Sequence, residues 1–229
     1  MNKEEKQAFL EYLMQFITER RKQLFYEVMN YRTRHITIVL EDIYQSQNAS
    51  AVLRTAEIYG IQDIHIIENR NQYKINRDVV LGSSKWINLY KYNTFENNTL
   101  ACFENLREKG YKIYATTPHR DDVNLYDLNL NDKIALVFGS ELPGLSKTAM
   151  ENADGFVKIP MYGFTESFNI SVSAAIFLSH LVERLHKMDI NWQLSEDERL
   201  NILVQWAKNS VRKPELLERE FYKLVLKKY

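Results

Sequence analysis

The chain has 229 residues, 45% hydrophobic and 26% charged, the make-up of a globular protein of one domain with appendages rather than a disordered or fibrous one. Thirty Lys and Arg balance thirty Asp and Glu, which excludes a uniformly basic surface but leaves room for a local basic patch. The single cysteine, Cys102, excludes an intrachain disulfide, and no motif around it points to a reactive thiol.

Residues 1–7 are too charged for a signal peptide, and the longest mostly apolar run, 170–182, is too short to span a bilayer. The expectation is a cytoplasmic protein with no membrane partner. Three parts follow in order: a helical extension over 1–33, an alternation of strand and helix over 34–188, and a helical tail over 189–229.

In the extension, Phe9, Leu10, Leu13, Phe16, Ile17, Leu24, Phe25 and Val28 recur at helical spacing, predicting one long amphipathic helix or two. Arg20 and Arg21 interrupt that stripe, and Arg32 lies nearby. These arginines are either solvated or a phosphate-contacting patch.

The central part reads as α/β. Residues 36–41, 64–67, 111–115, 134–138 and 156–159 are apolar or β-branched runs of strand length. Helical patterns occupy 48–59, 95–109 and 167–188. The alternation predicts a mainly parallel sheet. Gly60 and Gly110 directly follow helical patterns and are expected to be left-handed helix-terminating glycines. In the tail, Ser195 and Glu198 form a capping box, and Pro214 opens a last helix. Arg212, Lys213, Lys223, Lys227 and Lys228 make the tail basic in places, either as a solvated face or as an RNA contact.

Three segments carry chemistry. In the first, residues 46–60, Asn48 is a plausible N-cap, Ala49, Val52, Leu53 and Ala56 make the buried stripe, and Ser50, Arg54 and Glu57 share the opposite side. Arg54 is either a surface residue paired with Glu57 or a group near the end of a strand where open sheets bind ligands. The second, residues 134–146, is a buried strand ending in a loop with Gly139, Glu141 and Gly144. It nearly matches a phosphate-binding loop, but Leu145 stands where that loop needs lysine, which rejects nucleotide hydrolysis. The third, residues 157–175, is a strand stopped by Pro160, a loop with Gly163, and a helix rich in Ser and Asn in its first turns. A cap explains Ser167 well, and Asn169 and Ser171 less well.

Together, and in this order, the three segments resemble the motifs of the SpoU/TrmH branch of the SPOUT methyltransferases, over roughly residues 34–188. The segment Gly82-Ser83-Ser84-Lys85-Trp86 also resembles one common in the family, which often has His where this chain has Ser84. The resemblance implies a C-terminal trefoil knot, against generic topology rules, and a homodimer with the active site near its interface. It implies transfer of a methyl group from S-adenosylmethionine to a ribose 2′-hydroxyl in RNA, with no metal required. Short helical extensions resemble those of the tRNA-specific members, so the implied target is the D-loop guanosine at position eighteen. rRNA or another tRNA position is the alternative, and a non-catalytic dimeric RNA-binding protein the alternative of another class. By the same resemblance Arg54, Asn48, Glu141 and Asn169 are the catalytic set. Leu136, Val137, Phe138, Gly139, Ile159, Pro160, Met161, Ser167, Phe168 and Asn169 are expected to hold the donor. Arg20, Arg21, Arg32, Arg212 and Lys213 are expected to meet RNA.

Overall fold

The computed structural model describes residues 1–118, 120, 123–140 and 143–226. Its helices are α1 (Lys3–Met14), α2 (Glu19–Met29), α3 (Ser46–Ile58), α4 (Arg77–Val80), α5 (Asn98–Glu108), α6 (Lys147–Asn152), α7 (Ile170–Leu185), α8 (Glu196–Ser210) and α9 (Pro214–Leu226). Its strands are β1 (Ile36–Glu41), β2 (Asp63–Ile67), β3 (Asn88–Tyr92), β4 (Tyr111–Thr116), β5 (Val123–Asn124), β6 (Lys133–Phe138) and β7 (Gly155–Lys158). They fall into two compact units: residues 1–32 with 193–229, and residues 33–192.

The first unit is helical and built from both ends of the chain. The apolar stripe predicted near the start breaks into two helices, with Thr18 at the start of α2. Phe9, Leu10, Leu13, Ile17 and Phe25 are buried as the periodicity predicts, but Phe16 and Leu24 are exposed. The core is aromatic: Phe9 meets Phe221 at 5.0 Å between ring centroids, and Phe25 meets Trp206 edge-on at 5.6 Å. The Ser195–Glu198 capping box starts α8, and Pro214 opens α9.

The second unit is a parallel sheet of seven strands among the described residues, in the order β3-β2-β1-β6-β4-β7-β5. Every residue of β1 is buried, as expected of a central parallel strand covered on both faces. Ile36–Leu40 pair in register with Ile134–Phe138 of β6, and Tyr111–Ala115 of β4 pair with residues 133–137 on its other side. The predicted strands are present with ends shifted by a residue or so. Two strands had no sequence signal. β3 reads Asn-Leu-Tyr-Lys-Tyr on a sheet edge, half-buried and without an apolar run, and β5 is two residues long. Gly60 and Gly110 have φ of 77° and 81° and terminate α3 and α5 as anticipated.

The strand order places the site. From β1 the chain adds β2 and β3 on one side, then crosses to build β4 and β6 on the other. β1 and β6 therefore neighbour each other across the reversal, where open parallel sheets leave a crevice at their carboxyl ends. β7 then inserts between β4 and β5, two strands that precede it in the chain. Among the described residues no helix is long and apolar enough to cross a membrane.

Candidate active site

The carboxyl ends of β4, β6 and β7 and the start of α7 enclose a cavity of about 490 Å³. Phe138, Gly139, Ser140, Pro143, Gly144 and Leu145 form one wall. Ile159, Met161, Glu166, Ser167, Phe168 and Asn169 form another, and Thr116, Thr117 and Pro118 close it beyond β4.

The loop after β6 folds back on itself. Ser140 and Gly144 exchange backbone hydrogen bonds of 3.1 and 3.0 Å. This brings the backbone of Gly144 and Leu145 so close to Gly139 that a Cβ there would lie 2.3–2.4 Å from three of their atoms. Only glycine fits, and its bare backbone faces the cavity. The end of the loop is pinned by Glu41, a buried carboxylate at the end of β1. Its oxygens accept from the Ser146 backbone N–H, the Ser146 hydroxyl and the Thr99 hydroxyl at 2.8, 2.8 and 2.6 Å. Ser146 in turn caps α6. One carboxylate therefore joins the strand before the first motif to the loop of the second.

The first and third motifs meet directly. Asn169 is the N-cap of α7, its Oδ1 accepting from the Ser171 backbone N–H at 2.9 Å and the Ser171 hydroxyl at 2.6 Å. Its Nδ2 donates to Asn48 Oδ1 at 3.2 Å, and Asn48 Nδ2 donates to Gln45 Oε1 at 3.2 Å. The cap explains the Asn and Ser that the sequence left unaccounted for. It also corrects two expectations: Asn169 caps the helix rather than Ser167, which lies exposed in the preceding loop, and Gln45 rather than Asn48 occupies the N-cap of α3.

Of the expected donor-binding residues, Phe138, Gly139, Ile159, Met161, Ser167, Phe168 and Asn169 line the cavity. Leu136 and Val137 do not: both are fully buried inside β6, one on each face of the sheet. Pro160 is also absent from the wall. Arg54 is exposed on α3 and does not line this cavity. At helical spacing it stands about 240° around the helix from Asn48. Ser50 was expected beside Arg54 on the outer side of the helix. It is instead completely buried, bonded to the Tyr73 hydroxyl at 2.9 Å and accepting from the Asn76 backbone N–H at 3.0 Å. Glu141, Lys227 and Lys228 lie outside the described residues.

Among the basic residues, Arg20, Arg21, Arg212 and Lys213 are exposed. Arg32 is not: it is 1% exposed, with its guanidinium carbon 5.2 Å from the Trp206 ring centroid. A cation stacked and buried on an indole cannot also neutralise a phosphate in solvent, so Arg32 leaves the RNA-contact set. Sequence reasoning also missed Thr116–Pro118, Met150, Lys158, Glu166 and Phe177 on the cavity wall. The signal for Thr116–Pro118 was available, because they follow a predicted parallel strand at its carboxyl end.

A parallel α/β unit with a ligand cavity at the carboxyl ends of its strands, built from these three segments, defines the class. Residues 35–179 match the SpoU rRNA Methylase family, and the chain belongs to it. A tRNA (guanosine(18)-2'-O)-methyltransferase of Borreliella burgdorferi is 46% identical over 90% of this chain and 93% of its own. A protein of the same name from Thermus thermophilus is 32% identical over 70% of this chain and 81% of its own. The crystal structure of the Aquifex aeolicus TrmH/SpoU tRNA modifying enzyme superposes with a TM-score of 0.74 at 29% identity, covering 85% of this chain and 98% of that one.

Proposed function

We propose that the protein methylates the ribose 2′-oxygen of guanosine 18 in tRNA, the reaction in the names of its relatives, with S-adenosylmethionine as donor. The observation that carries the reading is the Asn169–Asn48 bond. It joins a residue of the cavity wall to the first turn of the helix that bears Arg54, as a reaction between two bound groups requires.

The cavity suits the donor. Its volume is that of a cofactor site, Gly139 lets backbone groups approach a ligand closely, and Lys158 and Glu166 offer opposite charges to an amino-acid zwitterion. When bound, the sulfonium supplies an activated methyl group. The chain's own task is then to position the hydroxyl and help remove its proton. A guanidinium is a poor base, which leaves Arg54 a hydrogen-bond donor's role. It clamps a phosphate next to the acceptor ribose, fixing the hydroxyl and favouring its deprotonation through that phosphate. Asn48, Asn169 and Glu141 orient the ribose or Arg54.

Arg54 reaches the reaction through a homodimer. Ala51 and Thr55, which flank it on α3, line an open groove with Val172, Ala175, Ile176 and Ser179 of α7. These small and apolar residues suit close packing of a second copy, and Arg54 would sit at the rim of that contact. The part over 34–188 carries the transfer. Arg20, Arg21, Arg212 and Lys213 of the helical unit supply phosphate contacts. The insertion of β7 between β4 and β5 supports a trefoil knot. A tRNA substrate implies the cytoplasm.

The test is incubation with methyl-labelled S-adenosylmethionine and unmodified tRNA transcripts, then alkaline digestion. A 2′-O-methyl blocks cleavage, so label is expected in one uncut dinucleotide beginning with guanosine 18. Label elsewhere would move the site, and no label from a protein that binds the donor would reduce it to an RNA-binding protein. Arg54→Lys, which keeps the charge but not the fork, is expected to lower kcat by about 100-fold with donor affinity unchanged. Near-normal turnover would refute the clamp.

A further inference from the structure

Beside the donor cavity lies a second pocket of about 350 Å³. Its own wall is Ile43, Tyr44, Gln45, Asn48 and Asn71. Ser140, Pro143 and Ile170 border both spaces, so the two are neighbours across one loop.

The polarity of the pocket's amides is fixed by groups that play one role only. The Ser171 backbone N–H can only donate, so Asn169 turns Oδ1 toward it and Nδ2 toward Asn48. Asn48 then accepts with Oδ1 and donates with Nδ2 to Gln45 Oε1. Gln45 is left with Nε2, a donor, as the end of the relay. A second anchor fixes Asn71. Asp42 has a left-handed φ of 51°, and its carboxylate accepts from the backbone N–H groups of Asn69, Arg70 and Asn71 at 2.7, 2.8 and 3.3 Å. Its backbone carbonyl, an acceptor only, takes Asn71 Nδ2 at 2.9 Å. Asn71 is left with Oδ1, an acceptor. Among the described residues neither Gln45 Nε2 nor Asn71 Oδ1 has a partner. The apolar parts of the wall are Ile43, Pro143 and Ile170, and the Tyr44 ring stands 81% exposed at the edge.

We propose that this pocket seats the base of the acceptor nucleoside and reads it as guanine. Gln45 Nε2 donates to O6, Asn71 Oδ1 accepts from N1–H or the 2-amino group, and Tyr44 stacks on the base. Adenine presents an amino donor where guanine presents O6, so it sets donor against donor at Gln45. The inference rests on the reading of the protein as a guanosine 2′-O-methyltransferase and adds the residues that choose the base.

The test compares wild type, Gln45→Glu and Tyr44→Ala on full-length tRNA transcripts carrying guanosine or adenosine at position 18, with S-adenosylhomocysteine affinity measured by calorimetry. Gln45→Glu keeps the oxygen that Asn48 needs and loses only the donor, and both side chains are exposed, so the fold is not at risk. Wild type is expected to prefer guanosine. Gln45→Glu is expected to lose about tenfold or more in kcat/KM on guanosine and to narrow the guanosine-to-adenosine ratio. Tyr44→Ala should lower kcat/KM on both transcripts alike, and neither variant should change affinity for S-adenosylhomocysteine. An unchanged ratio in Gln45→Glu, or a wild type indifferent to the base, would overturn the pocket while leaving the reaction intact. Weakened S-adenosylhomocysteine binding would overturn it by assigning Gln45 to the donor side. A wild type that methylates no transcript would overturn the reaction itself and this inference with it.

Discussion

The helical unit and the sheet unit bury side chains in different ways. Among the described residues, the helical unit has one buried polar or charged side chain, Arg32, packed on Trp206, in a unit whose other ring contacts join Phe9 to Phe221 and Phe25 to Trp206. The sheet unit buries Glu41, Ser50, Asp63, His65 and Thr99, and each of them has a hydrogen-bond partner. Buried polar groups are costly unless satisfied, so a core of the second kind depends on its geometry as an aromatic core does not. Two of these groups tie loops to helix and strand ends near the site: Glu41 holds the second-motif loop, which lines the cavity, and Ser50 holds the segment after β2 against α3. The sheet unit fixes loops and strand ends, the second-motif loop among them, with buried hydrogen bonds, and the helical unit is held by apolar area.

The sharpest way to break that contrast is to damage each unit and read the other. Trp206→Ala removes the largest fully buried side chain. It is expected to cost about 3–5 kcal/mol in urea unfolding of the helical unit, with donor binding at the cavity unchanged by calorimetry. A parallel loss of donor binding would mean that the units do not act separately. Gly139→Ala is expected to do the opposite. Its Cβ would meet the Gly144 and Leu145 backbone at 2.3–2.4 Å, so the loop must open. Donor affinity should fall by about 100-fold, or about 2.7 kcal/mol, while the helical unit keeps its stability.

A smaller effect separates the units by pH. His65 lies within β2, stacked on Tyr90 and bonded through Nδ1 to the Tyr92 hydroxyl at 3.0 Å. Burial first, then the Lys109 charge, lowers its pKa from 6.5 to about 3. The folded state therefore binds fewer protons than the unfolded one between those values. Stability is complete above pH 6.5 and falls as pH drops toward 3. From pH 7 to pH 5 the loss from His65 alone is about 2 kcal/mol. His35, lowered mainly by burial, acts with the same sign. Urea unfolding at the two pH values should show the loss in the sheet unit, and ring NMR should show no titration of His65 above pH 5. A His65 ring that titrates near 6.5 would remove the effect.

The contrast also sorts what the sequence revealed. Apolar or β-branched runs placed β1, β2, β4, β6 and β7, most plainly β1 and β6, because a parallel strand covered on both faces is apolar nearly throughout. The same logic could not place β3, whose edge position leaves Lys91 exposed and Tyr90 half-buried where a run was sought. At the site the glycines were legible because glycine has a narrow conformational use, and the Asn/Ser cluster marked a capped helix start without showing which residue caps it. Leu136 and Val137 were assigned to the donor by resemblance alone; burial places their side chains inside the sheet, so only their backbone could face a ligand there. Arg32 was misread for a related reason. Sequence gives the charge of an arginine but not the ring beneath it.

Ser50 gives the smallest effect and the closest test of what buried polarity does here. Helical spacing put it on the outer side with Arg54, yet α3 buries it because the segment from Tyr73 to Asn76 covers that side too. Ser50→Ala would leave the Asn76 N–H and the Tyr73 hydroxyl without this partner, at about 1–2 kcal/mol in urea unfolding. If the group served stability alone, turnover on tRNA would be normal once the protein is folded. Ser50 stands one turn before Arg54 on the same side of α3, so freeing the 73–76 segment also frees the face of α3 from which Arg54 projects. The expected result is a fall in kcat of about threefold to tenfold with donor affinity intact. That outcome would show the polar core setting the aim of the reacting groups, whereas unchanged kcat would make Ser50 an ordinary buried hydroxyl and return the two units to the same footing.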